Sequence, residues 1–226
     1  MNLKSVFTIA KKDLRVEFRT KHTINSMLLF AGITLLVFSY IFKGVYIKSL
    51  PEIGPGILWT IFIFTGMIGL SRAFVREKEL GTLEGLKLSP VSPEEILTGK
   101  IVYNFILMLI VTVIVFPLFI VFLNFPVKGS AMLAMFLLAL GNLGFVIVGS
   151  AISMIVMNAR ARELLLPVVL LPVLFPLIMA SVEALNKVLV DGATFINITG
   201  EVKIITAYTA IMLVISLLTF EYALEE

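Results

Sequence analysis

The sequence predicts an all-α, polytopic membrane protein. It has six transmembrane helices, an N-terminal interfacial amphipathic helix, and a short cytoplasmic helix between the second and third spans. Three observations carry this reading. The 226 residues are 59% hydrophobic and 15% charged, with a mean hydropathy of +1.07, whereas about a quarter of a soluble domain is charged. The apolar residues fall into six long runs, each near the ~20 residues a helix needs to cross a hydrocarbon core about 30 Å thick. Lysine and arginine are concentrated in alternate connecting segments.

The first element, residues 3–19, precedes the first span. Leu3, Phe7, Ala10, Leu14 and Phe18 recur at helical spacing with Val6 beside them, and Lys4, Lys11, Lys12, Arg15 and Arg19 fill the other faces. A narrow apolar stripe flanked by cations is the pattern of a helix lying in the membrane interface. As a plain anchor it needs only the lipid bilayer. As an elbow helix, with Phe7, Leu14 and Phe18 as its apolar contacts, it would link an external machine to the first span.

The spans follow at about 24–42, 56–74, 101–123, 130–157, 164–182 and 202–222. The first begins after 23 polar or amphipathic residues and is long enough to cross, so it reads as a retained anchor, not a cleaved leader. Lys and Arg number thirteen in 1–23, 72–100 and 158–163, against five in 43–55, 124–129 and 184–203. The positive-inside rule therefore predicts a multi-pass protein of the cytoplasmic (inner) membrane, with both termini and the 72–100 segment in the cytoplasm.

Residues 72–100 are the longest hydrophilic interruption. Gly81 permits a turn. Thr82 can cap a short helix bearing Leu83 and Leu86, with Leu80 and Leu88 flanking it, and Ser89-Pro90 ends it. Ser92-Pro93-Glu94-Glu95 then signals a restart: Ser92 at the N-cap, Pro93 at the first helical position, and Glu95 as the capping-box acid. The new helix is expected to run through Lys100 into the third span. Leucines outside the lipid suit a partner's groove, and folding against the chain itself is the plainer alternative.

Inside the spans, Thr65, Gly69 and Ala73 are four apart, as are Gly149 and Ser153, with Gly141 and Gly144 nearby. Small residues at this spacing allow close helix approach, within the chain or across a dimer. Pro117 in the third span and Pro167, Pro172 and Pro176 in the fifth are candidate hinges.

Catalytic chemistry has little to work with. Cysteine is absent and His22 is the single histidine, so no metal site and no catalytic residue is assigned. Thr98-Gly99-Lys100 lacks the upstream glycine and the following hydroxyl of a phosphate loop, so ATP would have to be bound by a partner. Ionisable residues deep in the spans are scarce, which argues against a proton- or sodium-coupled carrier. No nucleic acid partner is expected, the chain is not read as an enzyme, and no substrate-binding residue is assigned.

This layout resembles the permease half of an ABC exporter, and particular motifs narrow the match. Pro55-Gly56-Ile57-Leu58-Trp59 opens the second span, and Arg72-Ala73-Phe74-Val75-Arg76-Glu77 closes it. Gly81-Thr82-Leu83-Glu84-Gly85-Leu86 precedes Leu88-Ser89-Pro90 and Pro93, and Leu171-Pro172-Val173-Leu174-Phe175-Pro176 lies in the fifth span. In this order they look like the heme exporter protein B (CcmB) family, over nearly the whole chain. Gly85 stands where related sequences often carry a polar residue.

The resemblance implies one ABC-exporter-type transmembrane domain over 1–226: elbow 1–23, spans one and two 24–75, cytoplasmic coupling segment 76–100, spans three to six 101–226. It implies a permease subunit for heme delivery or export in c-type cytochrome biogenesis. Heme is then a candidate substrate, ATP is bound by an ABC ATP-binding subunit, and no cofactor is held by this chain alone. The other implied partners are a heme-handling membrane protein and a small membrane subunit. A second permease copy is expected, since six spans are few for a path. Glu77, Gly81, Thr82, Leu83, Glu84, Leu86 and Leu88 would contact the ATPase. An exporter of a lipid or drug-like molecule and a non-transporting assembly scaffold are the alternatives.

Overall fold

The computed structural model describes residues 2–42, 50–73, 81, 91–156, 159 and 162–225, with 73, 162, 163 and 221–225 described by backbone alone. Among the described residues there is no strand. The described residues form seven α-helices in order: α1 Leu3–Thr20, α2 His22–Phe42, α3 Leu50–Ala73, α4 Pro93–Phe122, α5 Ala131–Val156, α6 Arg162–Leu189 and α7 Thr199–Glu225, the last entered through a 3₁₀ turn at Phe195–Ile198. The six helices α2 to α7 are each long and apolar enough to cross a membrane.

The helices match the expected spans in number and order, and most run further at their ends. In α3, Pro55 lies inside the helix, in its second turn, where it removes one backbone donor and crowds the carbonyl four residues back. The sequence places the second span at about 56–74, opened by Pro55-Gly56, yet the helix starts at Leu50. The Phe125 ring packs so closely on Gly54 that a side chain there would overlap it. The helix α6 runs on to Leu189 and passes through Pro167, Pro172 and Pro176 without ending. Its last turn is held by Lys187, which contacts Glu183 at 3.0 Å and also reaches Glu201 at the start of α7.

The bundle is layered by burial. Of the most apolar window of α3, 72% is buried, against 17% for α7 and 22% for α2, so α3 is central and α2 and α7 form the rim. The helix α5 packs against α3, α4, α6 and α7. Its glycines make this possible. A methyl at Gly149 would overlap Leu70, one at Gly66 in α3 would overlap Phe145, and one at Gly141 would stand 2.5 Å from Trp59 Cζ2. Large side chains thus occupy the space that glycines leave, and Trp59, Phe62, Phe116, Phe119 and Phe145 fill the centre. Close approach of this kind replaces the hydrophobic drive that lipid does not supply between helices.

Polar pairs link the same helices. Asn142 donates to Thr112 Oγ1 at 2.8 Å, Asn104 to Ser150 Oγ at 3.2 Å, and Ser153 Oγ to the Leu70 carbonyl at 2.8 Å. At the far end of α4, Ser39 Oγ of α2 donates to the Phe122 carbonyl at 2.8 Å.

Candidate coupling site

The helix α4 has 30 residues and is therefore about 45 Å long at 1.5 Å per residue. A hydrocarbon core takes about 30 Å of that. The surplus is at the N-terminal end, where Val91 and Ser92 join α4 to the hydrophilic segment. The helix α1 packs against this end.

Three contacts fix α1 there. The Glu95 carboxylate accepts the backbone N–H of Asn2, whose own side chain caps α1 by accepting Lys4 N–H at 3.1 Å. In the middle, Gly99 lets the two backbones close: a Cβ there would be 2.8 Å from Ile9 Cγ2 and 3.2 Å from the Val6 carbonyl. One residue on, Lys100 Nζ is 2.8 Å from Asp13 Oδ2. The lysine is 2% exposed and the aspartate 13%, while Lys12 stands 3.4 Å from the same carboxylate. An ion pair shielded from water keeps its strength but punishes loss of either partner.

A fourth contact fixes α1 to α2. The chain turns at Lys21, which is left-handed at φ 54 and whose N–H returns to the Glu17 carbonyl. Glu17 is 1% exposed, and its Oε1 accepts the N–H groups of Thr23 at 2.7 Å and Ile24 at 2.9 Å. Its charge therefore sits at the N-terminus of α2, where the helix dipole and unpaired donors favour an anion. Beside it, His22 Nδ1 contacts the Arg72 guanidinium at the end of α3.

The expected capping box does not form. Ser92 makes no side-chain cap bond, though its backbone is extended and Pro93 opens the helix. Glu95 turns to Asn2 instead of back to Ser92, because a bond to α1 satisfies a donor at a packed joint, while the first N–H groups of α4 are left to other partners.

Of the expected elbow residues, Phe7 is 64% and Phe18 51% exposed, and Leu14 is half-buried against the core. The face that meets the bundle carries Val6, Ile9, Ala10 and Glu17 instead. Of the expected contact residues, Gly81 has φ 66, a left-handed conformation that suits glycine. Glu77, Thr82, Leu83, Glu84, Leu86 and Leu88 lie outside the described residues. Thr65 is fully buried, Gly69 faces the Met27 sulfur, Ala73 ends α3, and Gly149 and Ser153 both meet Leu70. Pro117 is exposed within an unbroken α4, and Pro172 and Pro176 are exposed within α6, where Pro167 is half-buried.

Sequence reasoning missed the joint that Asp13, Glu17, Glu95 and Lys100 make. A usable signal existed: Asp13 and Glu17 are the only acids of a basic helix, four apart, on the same face as Val6, Ile9 and Ala10. No group of three or more His, Asp or Glu able to hold a metal occurs among the described residues.

The family model described as CcmB protein matches residues 4–226 of this chain. Curated relatives include heme exporter protein B of Rhodobacter capsulatus, 27% identical over 181 residues, which are 79% of this chain and 81% of the relative. Heme exporter protein B of Pseudomonas aeruginosa is 23% identical over 81% of this chain and 82% of its own, and that of Bradyrhizobium diazoefficiens 22% over 85% and 86%.

Proposed function

The chain belongs to the CcmB protein family, and on that premise we propose that it is a membrane component of a heme export and c-type cytochrome maturation system. Within that system it acts as the permease subunit of an ABC transporter complex. The observation that carries the reading is the match over residues 4–226, together with relatives named heme exporter protein B that align along most of their length. Heme is the candidate cargo. An ABC ATP-binding subunit, a heme-handling membrane protein and a small membrane subunit are the proposed partners. The membrane is the cytoplasmic one, with both ends of the chain inside, a reading supported by the Lys and Arg count.

The ATP-binding subunit is proposed to grip Glu77 to Leu88, with Leu83 and Leu86 as anchors and Glu84 as a polar contact. Force applied there would enter α4 at Ser92. The bonds Asn2–Glu95 and Asp13–Lys100 would carry it to α1, and Glu17 would carry it on to α2. ATP hydrolysis in the partner would thereby tilt spans and drive release of a heme-loaded chaperone or movement of heme. A second copy of the chain is proposed because six spans are few for a translocation path.

The test is the double substitution of Leu83 and Leu86 by Asp in the complete complex. The ATP-binding subunit should fail to co-purify, and cytochrome c should fail to mature. Retention of both would sink the contact assignment. ATP-dependent heme movement in vesicles separates transport from scaffolding, because a scaffold would support maturation with an ATPase-dead partner.

A further inference from the structure

The acids of α1 are both turned inward. Asp13 meets Lys100 and Glu17 meets the start of α2. The outer surface of α1 is therefore left with cations alone, among them Lys11 and Arg15, one turn apart and exposed. No described acid pairs with either of them.

These two side chains rim a groove of about 320 Å³ between α1 and α4. Its walls are apolar: Phe7, Leu14 and Phe18 from α1, Val102 and Ile106 from α4. Such a volume is at the floor of the roughly 300–1,000 Å³ that ligand pockets span. It is small for a bulky ring system and sufficient for part of one hydrocarbon chain. Val102 and Ile106 lie ten and fourteen residues into α4, where a helix emerging from the interface enters hydrocarbon. A cationic rim above an apolar slot at that depth complements an anionic headgroup joined to an acyl chain, and in a bilayer an anionic phospholipid supplies both.

We propose that this groove binds an anionic phospholipid, its phosphate against Lys11 and Arg15 and one acyl chain against Phe7, Leu14, Phe18, Val102 and Ile106. The lipid would complete the packing of α1 on α4 and hold the elbow at the interface. The proposal needs only that α2 to α7 cross a bilayer, so it stands apart from the cargo of the complex.

The test uses the whole complex in mild detergent, with dioleoyl-phosphatidylglycerol and dioleoyl-phosphatidylcholine as probes. Native mass spectrometry should show phosphatidylglycerol retained over phosphatidylcholine by about tenfold. In K11Q/R15Q that preference should vanish. K4Q/R19Q removes the same charge from elsewhere on α1 and should keep it. Val102→Trp fills the slot with the cations intact and should also lose it. If that variant does not fold, the two charge variants decide the matter. Equal losses in K11Q/R15Q and K4Q/R19Q would reduce the effect to general surface charge and overturn the site. So would equal retention of both lipids, competition by millimolar inorganic phosphate alone, or burial of Lys11 and Arg15 by a partner subunit with no lipid retained.

Discussion

Lys100 of α4 and Asp13 of α1 meet at 2.8 Å although 87 residues separate them in the chain. The lysine, 2% exposed, has this acid as one of its partners inside the joint. Removing one member of a buried pair costs about 3–5 kcal/mol when nothing else compensates the charge left behind, and less where other contacts remain. Asp13→Ala is expected to lower the unfolding free energy in detergent by about 1–3 kcal/mol. The swapped variant D13K/K100D should recover part of it, and a double-mutant cycle should give a coupling of about 1 kcal/mol or more.

Glu17 holds two backbone donors of α2 with one oxygen. Hydrogen bonds to a charged group contribute about 1.5–3 kcal/mol. Glu17→Ala should therefore destabilise by about 2 kcal/mol, while Glu17→Gln, which keeps a carbonyl acceptor, should cost about half. Limited proteolysis near Lys21 is the local readout. Cutting there should accelerate more in the alanine variant than global melting accounts for.

Gly149 and Leu70 occupy one another's space. Gly149→Ala overpacks the α3–α5 contact and should cost about 1–3 kcal/mol. Combining it with Leu70→Ala should cost less than the sum of the two, because the methyl then enters the space vacated by the leucine. Gly32, where an added methyl would meet nothing within 4 Å, is the control. There alanine should be neutral or raise stability by up to about 1 kcal/mol through helix propensity.

Gly81 stands at φ 66, and among the described residues nothing comes within 4 Å of an added Cβ. Strain, not crowding, therefore decides its substitutions. Gly81→Ala should cost about 1 kcal/mol and Gly81→Asn less, since asparagine tolerates the left-handed region. Gly81→Val should impair co-purification of the ATP-binding subunit more than either.

The helices were legible because apolar periodicity and run length are local quantities. The 3–19 pattern predicts α1, and Ser92-Pro93 predicts the start of α4 within a residue. Helix ends were less legible. The helix α6 outruns its apolar run because Lys187 finds Glu183 and Glu201, and α3 begins before Pro55 although a proline in the second turn removes a donor and crowds a carbonyl. The joint itself was not legible. Whether Glu95 caps its own helix or reaches Asn2 depends on which helix passes by, and nothing within four residues of Glu95 encodes that. The apolar stripe of α1 divides between two surroundings. Its most regular members, Phe7 and Phe18, face outward, and the contact with the bundle is made by Val6, Ile9 and Ala10.

The hydroxyl of Ser39 on the Phe122 carbonyl has a mechanical meaning once the inner joint is known. The helices α2 and α4 are tied there at one end, and at the other through α1, which Glu17 fastens to α2 and Asp13 and Glu95 fasten to α4. Two rods joined by short links at both ends make a four-bar linkage. Such a frame shears without parting, so α2 and α4 lean together through one shared angle, and any slide of one along the other is tied to that lean.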